Sequence, residues 1–170
     1  SEAYMEKRNH YEYKDLPRPP GYPLDKAEIL SLDMLHNETG IYTYDEPIDF
    51  KLKFKIKMPH IGDLSFRFLV WTADEVPVET AFTKTFANIN EVGEYDVEVK
   101  INHHNLAPGI YKMTLTLTGG SSQNTKENLD HIYPAFVFEV LHFNGTAKTW
   151  LRTWGWVHFD DVDVKLLDKE

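Results

Sequence analysis

The chain has 170 residues, 42% of them hydrophobic, and a formal charge of −9, enough apolar material for one domain with extensions. The acidic balance disfavours polyphosphate partners, nucleic acid included, because affinity for phosphate comes from Lys and Arg. Cysteine is absent, which removes a disulfide framework and thiolate metal sites and fits a reducing cytoplasm; no eighteen-residue apolar run or export leader suggests membrane insertion.

Residues 1–23 read as a Pro-rich arm or linker: Tyr4, Tyr11 and Tyr13 are followed by Pro17, Pro19, Pro20, Gly21 and Pro23, and no strand or helix period survives the prolines. Such a segment suits a junction with another domain upstream.

Residues 24–145 then read as strands. A first strand covers 27–35. In 48–58, Ile48, Phe50, Leu52, Phe54, Ile56 and Met58 alternate with Asp49, Lys51, Lys53, Lys55 and Lys57, a period of two with one buried face and one lysine-rich solvated face. After a turn at Gly62 and Asp63, the strand at 64–72 turns Phe66, Phe68 and Val70 inward and Ser65, Arg67, Leu69 and Trp71 outward. A less regular strand covers 78–86, and 94–101 places Tyr95, Val97, Val99 and Ile101 inward.

Leu106, Ala107, Pro108, Gly109, Ile110 and Tyr111 form the signature of a tyrosine corner. Pro108 presets a turn, Gly109 supplies a permissive backbone, and a Tyr entering the next strand bonds back to main chain upstream. Tyr111, Met113, Leu115 and Leu117 then face inward, with Lys112, Thr114, Thr116 and Thr118 outward. A polar loop at 119–130 leads to a strand at 132–141 carrying Phe136, Phe138 and Val140. The fold class is all-β: an immunoglobulin-like antiparallel sandwich with Greek-key connections and an extra C-terminal strand.

That extra strand lies in 146–170, after a turn at Asn144 and Gly145, and is expected over 150–159. Trp150, Trp154 and Trp156 on one side and Leu151, Val157 and Phe159 on the other make both faces apolar. Such a strand must be covered, and a homodimer in which Trp150, Trp154 and Trp156 pack on or exchange into a partner would cover it.

The outward sets suggest a binding surface. Sugar rings need flat aromatic area for their apolar faces and hydroxyl or planar charged groups for their hydroxyls, and Arg67, Trp71, Thr114 and Thr116 provide both if their strands share a sheet. The competing reading is that the arm's tyrosines cover this face or that the inward assignment slips by one residue. Asp160, Asp161 and Asp163 near His158 lack the spacing of a calcium loop and read as an acidic tail; the loop neighbours His103 and His104 point apart, so no metal or other cofactor is expected. There is no Gly-x-Ser-x-Gly elbow and no phosphate loop, so catalysis and ATP chemistry are not expected of this chain.

The order of these pieces resembles the C-terminal carbohydrate-binding domain of the ATP-binding subunit of O-antigen and other polysaccharide ABC exporters, the Wzt type. The Pro-rich lead-in to residues 27–35, the strand at 48–58, Leu106-Ala-Pro-Gly-Ile-Tyr111, Phe136-Val-Phe-Glu-Val140 and Trp154-Gly-Trp-Val-His158 carry the resemblance over nearly the whole chain. It implies recognition of an exported polysaccharide, coupling to an ATP-binding domain upstream and through it to a membrane transporter subunit, a C-terminal strand exchanged between protomers, and a place in the cytoplasm at the inner membrane. The aromatic and lysine residues of the first strands are no family signature, so sugar identity does not transfer. A protein-interaction sandwich and a carbohydrate-binding module of a secreted hydrolase are the rival readings.

Overall fold

The computed structural model describes residues 6–120, 126–141, 149–159 and 161–168. Ten strands follow in order: β1 (His10–Glu12), β2 (Ala27–Met34), β3 (Ile41–Thr43), β4 (Ile48–Ile56), β5 (Gly62–Thr72), β6 (Pro77–Phe82), β7 (Ala87–Ile89), β8 (Gly93–Ile101), β9 (Gly109–Gly119) and β10 (Glu127–Leu141). They form two sheets, β1-β2-β4-β8 and β3-β10-β9-β5-β6, with β7 paired to β5. This is the immunoglobulin-like arrangement, in which the chain passes between sheets at β2–β3, β3–β4, β4–β5, β7–β8 and β8–β9. The pairing is antiparallel except for β3 against β10, which is parallel and corrects the expectation of a wholly antiparallel sandwich.

Alternation in sequence becomes alternation in burial. Ile48, Phe50, Leu52, Phe54 and Ile56 are buried, as are Phe66, Phe68 and Val70 of β5, Tyr111, Met113, Leu115 and Leu117 of β9, and Phe136, Phe138 and Val140 of β10. Aromatic rings close the space between the sheets: Phe50 meets Phe68 edge-on at 5.9 Å and Phe136 at 5.3 Å, within the range where ring pairs attract. Met58, expected inward, is exposed because β4 ends at Ile56. Tyr95, Val97, Val99 and Ile101 of β8 are only half-buried, since β8 is the edge of its sheet.

The lysines of β4 have a structural explanation. Lys51, Lys53 and Lys55 stand opposite Glu98, Asp96 and Glu94 of β8, while Lys51 also faces Asp33 and Lys55 faces Glu28 on β2. Opposite charges across neighbouring strands stabilise the pairing and fix its register. The strip of cations is neutralised within its own sheet.

The segment read as an arm is in part a component of the sandwich. β1 pairs with β2 through Tyr11 and Leu32, and Tyr11 and Tyr13 are both buried, the Tyr13 hydroxyl donating to the Ala135 carbonyl at 2.6 Å. The strand expected at 78–86 ends at Phe82 with β6; residues 83–86 are not strand and lead to the separate β7, and the Phe86 ring stacks on Phe66 at 4.8 Å.

The tyrosine corner is present. Tyr111 is fully buried and its hydroxyl donates to the Ala107 carbonyl at 2.5 Å. Gly109 has a role other than the backbone freedom expected of it, because its φ is not positive; a Cβ there would meet Trp156 and the Tyr111 hydroxyl at 3.2 Å. The glycine permits that close approach.

Candidate functional site

β5 and β9 are neighbours, with Arg67 opposite Thr116, Leu69 opposite Thr114 and Trp71 opposite Lys112. The shared parity therefore brings Arg67, Trp71, Thr114 and Thr116 onto the outer face of one sheet. They do not contribute equally to its surface. Thr114 and Thr116 are buried and form a floor: the Trp71 indole N–H donates to Thr114 Oγ1 at 2.6 Å, and an Arg67 Nη2–H reaches Thr116 Oγ1 at 3.5 Å. Trp71 and Arg67 lie above them, half-buried.

β10 completes one side through irregular register. The partner of Thr116 is His131 and that of Leu115 is Ile132, but the next pairing joins Phe136 to Met113, so β10 carries extra residues between 132 and 136. A bulge of this kind re-aims side chains, and here Tyr133 meets Trp71 edge-on at 5.3 Å while His131 Nδ1 lies 2.8 Å from Thr116 Oγ1. Tyr22 stacks on the His131 ring at 5.6 Å.

The opposite wall comes from Leu16, Pro17, Arg18 and Pro19. Arg18 fixes its course: its Nε–H and one Nη2–H donate to the two Asp130 carboxylate oxygens at 2.7 and 3.0 Å, and its other N–H groups reach the carbonyls of Tyr13, Leu16 and Ile29. All five guanidinium donors are thus satisfied. Asp130 also accepts from the main-chain N–H of Ile29 and of His131, both at 2.7 Å, and is completely buried. The result is a groove of about 620 Å³ lined by the arm, β5, β9 and β10, with Glu75 at its edge in an ion pair with Lys112 at 2.7 Å.

The groove's electrostatics follow from these bonds. Burial and the neighbouring Arg67 cation lower the His131 pKa from its ordinary value, with Asp130 opposing. Thr116 Oγ1 accepts from Arg67 and shares a further hydrogen bond with His131 Nδ1. Two aromatic rings, a guanidinium and an imidazole thus line one groove.

The Wzt C-terminal domain model matches residues 22–158. The chain belongs to the Wzt C-terminal domain family. A crystal structure of the C-terminal domain of Wzt superposes with a TM-score of 0.67 at 13% identity, covering 95% of this chain and 98% of that one, which confirms the fold. The CARDB domain of the PF1109 protein from Pyrococcus furiosus (TM-score 0.33, 11% identity, 83% of this chain and 95% of that) and a beta-glucosidase from Listeria innocua (0.35, 19%, 76% and 19%) are too distant in shape to inform the site. No curated protein sequence matches the chain.

In this Wzt C-terminal domain the tryptophan segment departs from expectation. Residues 150–159 form no strand: a 3-10 turn at Arg152–Trp154 is followed by Gly155 at φ 96°, and a single bridge joins Val157 to Leu106. The backbone reversal at Gly155 breaks the extended run. Trp150 and Trp154 pack on each other at 5.5 Å, and Trp156 packs edge-on against Tyr111 at 6.0 Å with the Arg152 guanidinium 3.6 Å over its ring. Arg152 also donates to the Pro108 carbonyl. The three tryptophans thus take part in local ring contacts beside and on the tyrosine corner, while Leu151, Val157 and Phe159 of the other set are exposed.

Of the residues weighed for metal binding, His104 is engaged by main chain. His104 Nδ1 accepts from the Leu106 N–H at 2.9 Å and its Nε2–H points to the Thr43 carbonyl at 3.3 Å; burial lowers its pKa. Asp160, like the turn at Asn144 and Gly145, lies outside them. Among the described residues no group of three His, Asp or Glu side chains is placed to hold a metal ion. His131, Tyr133 and the Arg18 wall are the groove components that strand parity alone does not reveal. Pro134 within an apolar run was the available signal, since proline inside a strand marks a bulge.

Proposed function

We propose that this domain recognises an exported bacterial polysaccharide, and that the groove between the arm and the β5–β9–β10 face is where it binds. Family membership supports a role in a polysaccharide ABC transporter, in which the C-terminal domain is a non-catalytic part of the ATP-binding subunit. The observation that carries the reading is the meeting of Trp71, Tyr133, Arg67 and His131 in one cavity of about 620 Å³, within the size range of small-ligand sites. Trp71 and Tyr133 offer apolar surface to a sugar ring, Arg67 offers donors to its oxygens and His131 offers a polar ring nitrogen to its hydroxyls. Thr114 and Thr116 act beneath them by holding the indole and guanidinium in place. Binding here would be coupled to an ATP-binding domain upstream and through it to the membrane subunits, at the cytoplasmic side of the inner membrane. Among the described residues no helix is long and apolar enough to cross a membrane.

Titrating the polysaccharide of the source cell against wild type and Trp71→Ala tests this. The variant should bind roughly tenfold more weakly, as loss of a stacking platform worth about 0.5–1.5 kcal/mol beyond area implies. Equal affinities in a folded variant would move the site elsewhere.

The same reading includes a homodimer. Phe159, Val164 and Leu166 are 91%, 92% and 96% exposed, so the residues following the tryptophan cluster present apolar side chains without cover. A second copy would cover them, with Trp150, Trp154 and Trp156 at the join, and two grooves in one assembly would raise avidity for a long polymer. Light scattering should report a dimer that becomes a monomer when residues 159–170 are deleted. A wild-type monomer at high concentration would refute it.

A further inference from the structure

The groove is walled on its β10 side and open on its β6 side. Leu16, Pro17, Arg18 and Pro19 close it beside Tyr133, while among the described residues β6 contributes none to its lining. The outer face of the sheet nevertheless continues across β6, which pairs with β5 and forms the sheet's edge. Buried Phe68 and Val70 stand opposite Ala81 and Glu79, so those two turn toward the core, and Phe82, opposite Arg67, turns outward. Four strands thus carry one row of side chains: Phe82, Arg67, Thr116 and His131. Its three strand spacings span about 14 Å, longer than one sugar ring.

Phe82 is 71% exposed. A lone exposed ring is ordinary on a protein surface, but this one stands in register with the groove's Arg67. The same stretch of chain buries its other phenylalanine, Phe86, against Phe66. Size decides what fits Phe82. One aromatic side chain offers about 150–250 Å², far short of the roughly 800 Å² that each partner of a stable protein interface buries, yet enough to take the flat face of a sugar. Beside it on the same face lie Arg67 and the opposed pair Leu69 and Thr80. They supply planar donors, aliphatic surface and a hydroxyl, the same mixture that lines the groove.

We propose that Phe82 is the platform of a second sugar subsite, continuous with the groove across β5, so that the domain reads a run of at least two linked sugars. The proposal rests on the glycan reading above and extends its site. One ring lies in the groove against Trp71 and Tyr133, another lies on Phe82, and Arg67 stands between them.

Partial acid hydrolysis of the source cell's polysaccharide supplies the probes: its single sugars, and fragments of a few units that are too short to bridge two protomers. Wild type should bind the fragments at least tenfold more tightly than the single sugars. Phe82→Ala should weaken fragment binding roughly three- to tenfold and leave single-sugar binding unchanged, whereas Trp71→Ala should weaken both. Phe82→Tyr, which keeps the ring, should retain the fragment affinity. Thermal unfolding should be unchanged in both Phe82 variants, because the side chain lies outside the core. Fragments bound equally by wild type and Phe82→Ala, but more weakly by Trp71→Ala, would overturn the second subsite and leave the glycan reading intact. Phe82→Ala that alters the oligomeric state in light scattering, with fragment affinity unchanged, would overturn it in favour of a contact between copies of the chain. Binding of neither probe nor of the intact polysaccharide by wild type would overturn both readings.

Discussion

Arg18→Ala is expected to destabilise the domain by about 3–5 kcal/mol, the cost of leaving one member of a buried ion pair without its partner. The Arg18 and Asp130 side chains are 3% and 0% exposed, so water does not replace the lost bonds. Asp130 would keep only the Ile29 and His131 N–H groups, and the Tyr13, Leu16 and Ile29 carbonyls would lose the Arg18 donor, Tyr13 keeping the Leu16 N–H. Asp130→Ala should cost a similar amount. The pair does more than join two charges: Asp130 belongs to β10 in one sheet, Ile29 to β2 in the other, and Arg18 to the segment after β1. Breaking it loosens the closure of the sandwich and the wall of the groove together. Urea unfolding of the single variants and of Arg18→Met with Asp130→Leu checks this. The double variant should recover much of the loss, because removing both charges leaves no orphan. Single variants within about 1 kcal/mol of wild type would mean that the arm detaches at little cost.

How far these features were legible in the chain depended on what fixes them. Periodicity of two gave the core faces of β4, β5, β9 and β10, since a residue's side of a strand is set by its parity and burial selects which side is apolar. The same parity brought Arg67 and Trp71 together with Thr114 and Thr116. Depth was invisible to it. The two threonines lie under their neighbours because β10 adds His131 and Tyr133 to that face, and their position depends on register shifts after Asn128 and after Ile132. A bulge changes parity without altering composition.

The arm was misread for a related reason. Five prolines and glycines in residues 17–23 conceal a three-residue strand before them, although Tyr11 and Tyr13 already share parity and both prove buried. Asp130 belongs to a polar stretch that reads as loop, and only its distant partner Arg18 makes it a buried acid. The tryptophan segment failed through Gly155. Local alternation around it resembles a doubly covered strand, yet one residue at positive φ turns the run back on itself.

The close packing of that segment on the tyrosine corner gives the other large expected effect. Trp156→Ala should cost about 2–3 kcal/mol, below the roughly 3–5 kcal/mol range for a buried aromatic, because Trp156 is half-exposed. The loss has three sources: the edge-on contact with Tyr111, the Arg152 guanidinium over the indole, and surface above Gly109. Gly109→Ala should be destabilising by about 1–3 kcal/mol, since its new methyl group would stand 3.2 Å from both the Trp156 ring and the Tyr111 hydroxyl and force one to move. The two changes touch the same space and should not add. With the indole gone, the methyl group has room on one side, and the double variant should be more stable than the sum of the single losses by about 0.5–1 kcal/mol or more. A denaturant double-mutant cycle measures that coupling. Strict additivity would show that the clash lies entirely with Tyr111, and a negligible effect of Trp156→Ala would show that the tryptophan cluster does not dock on its own chain in solution.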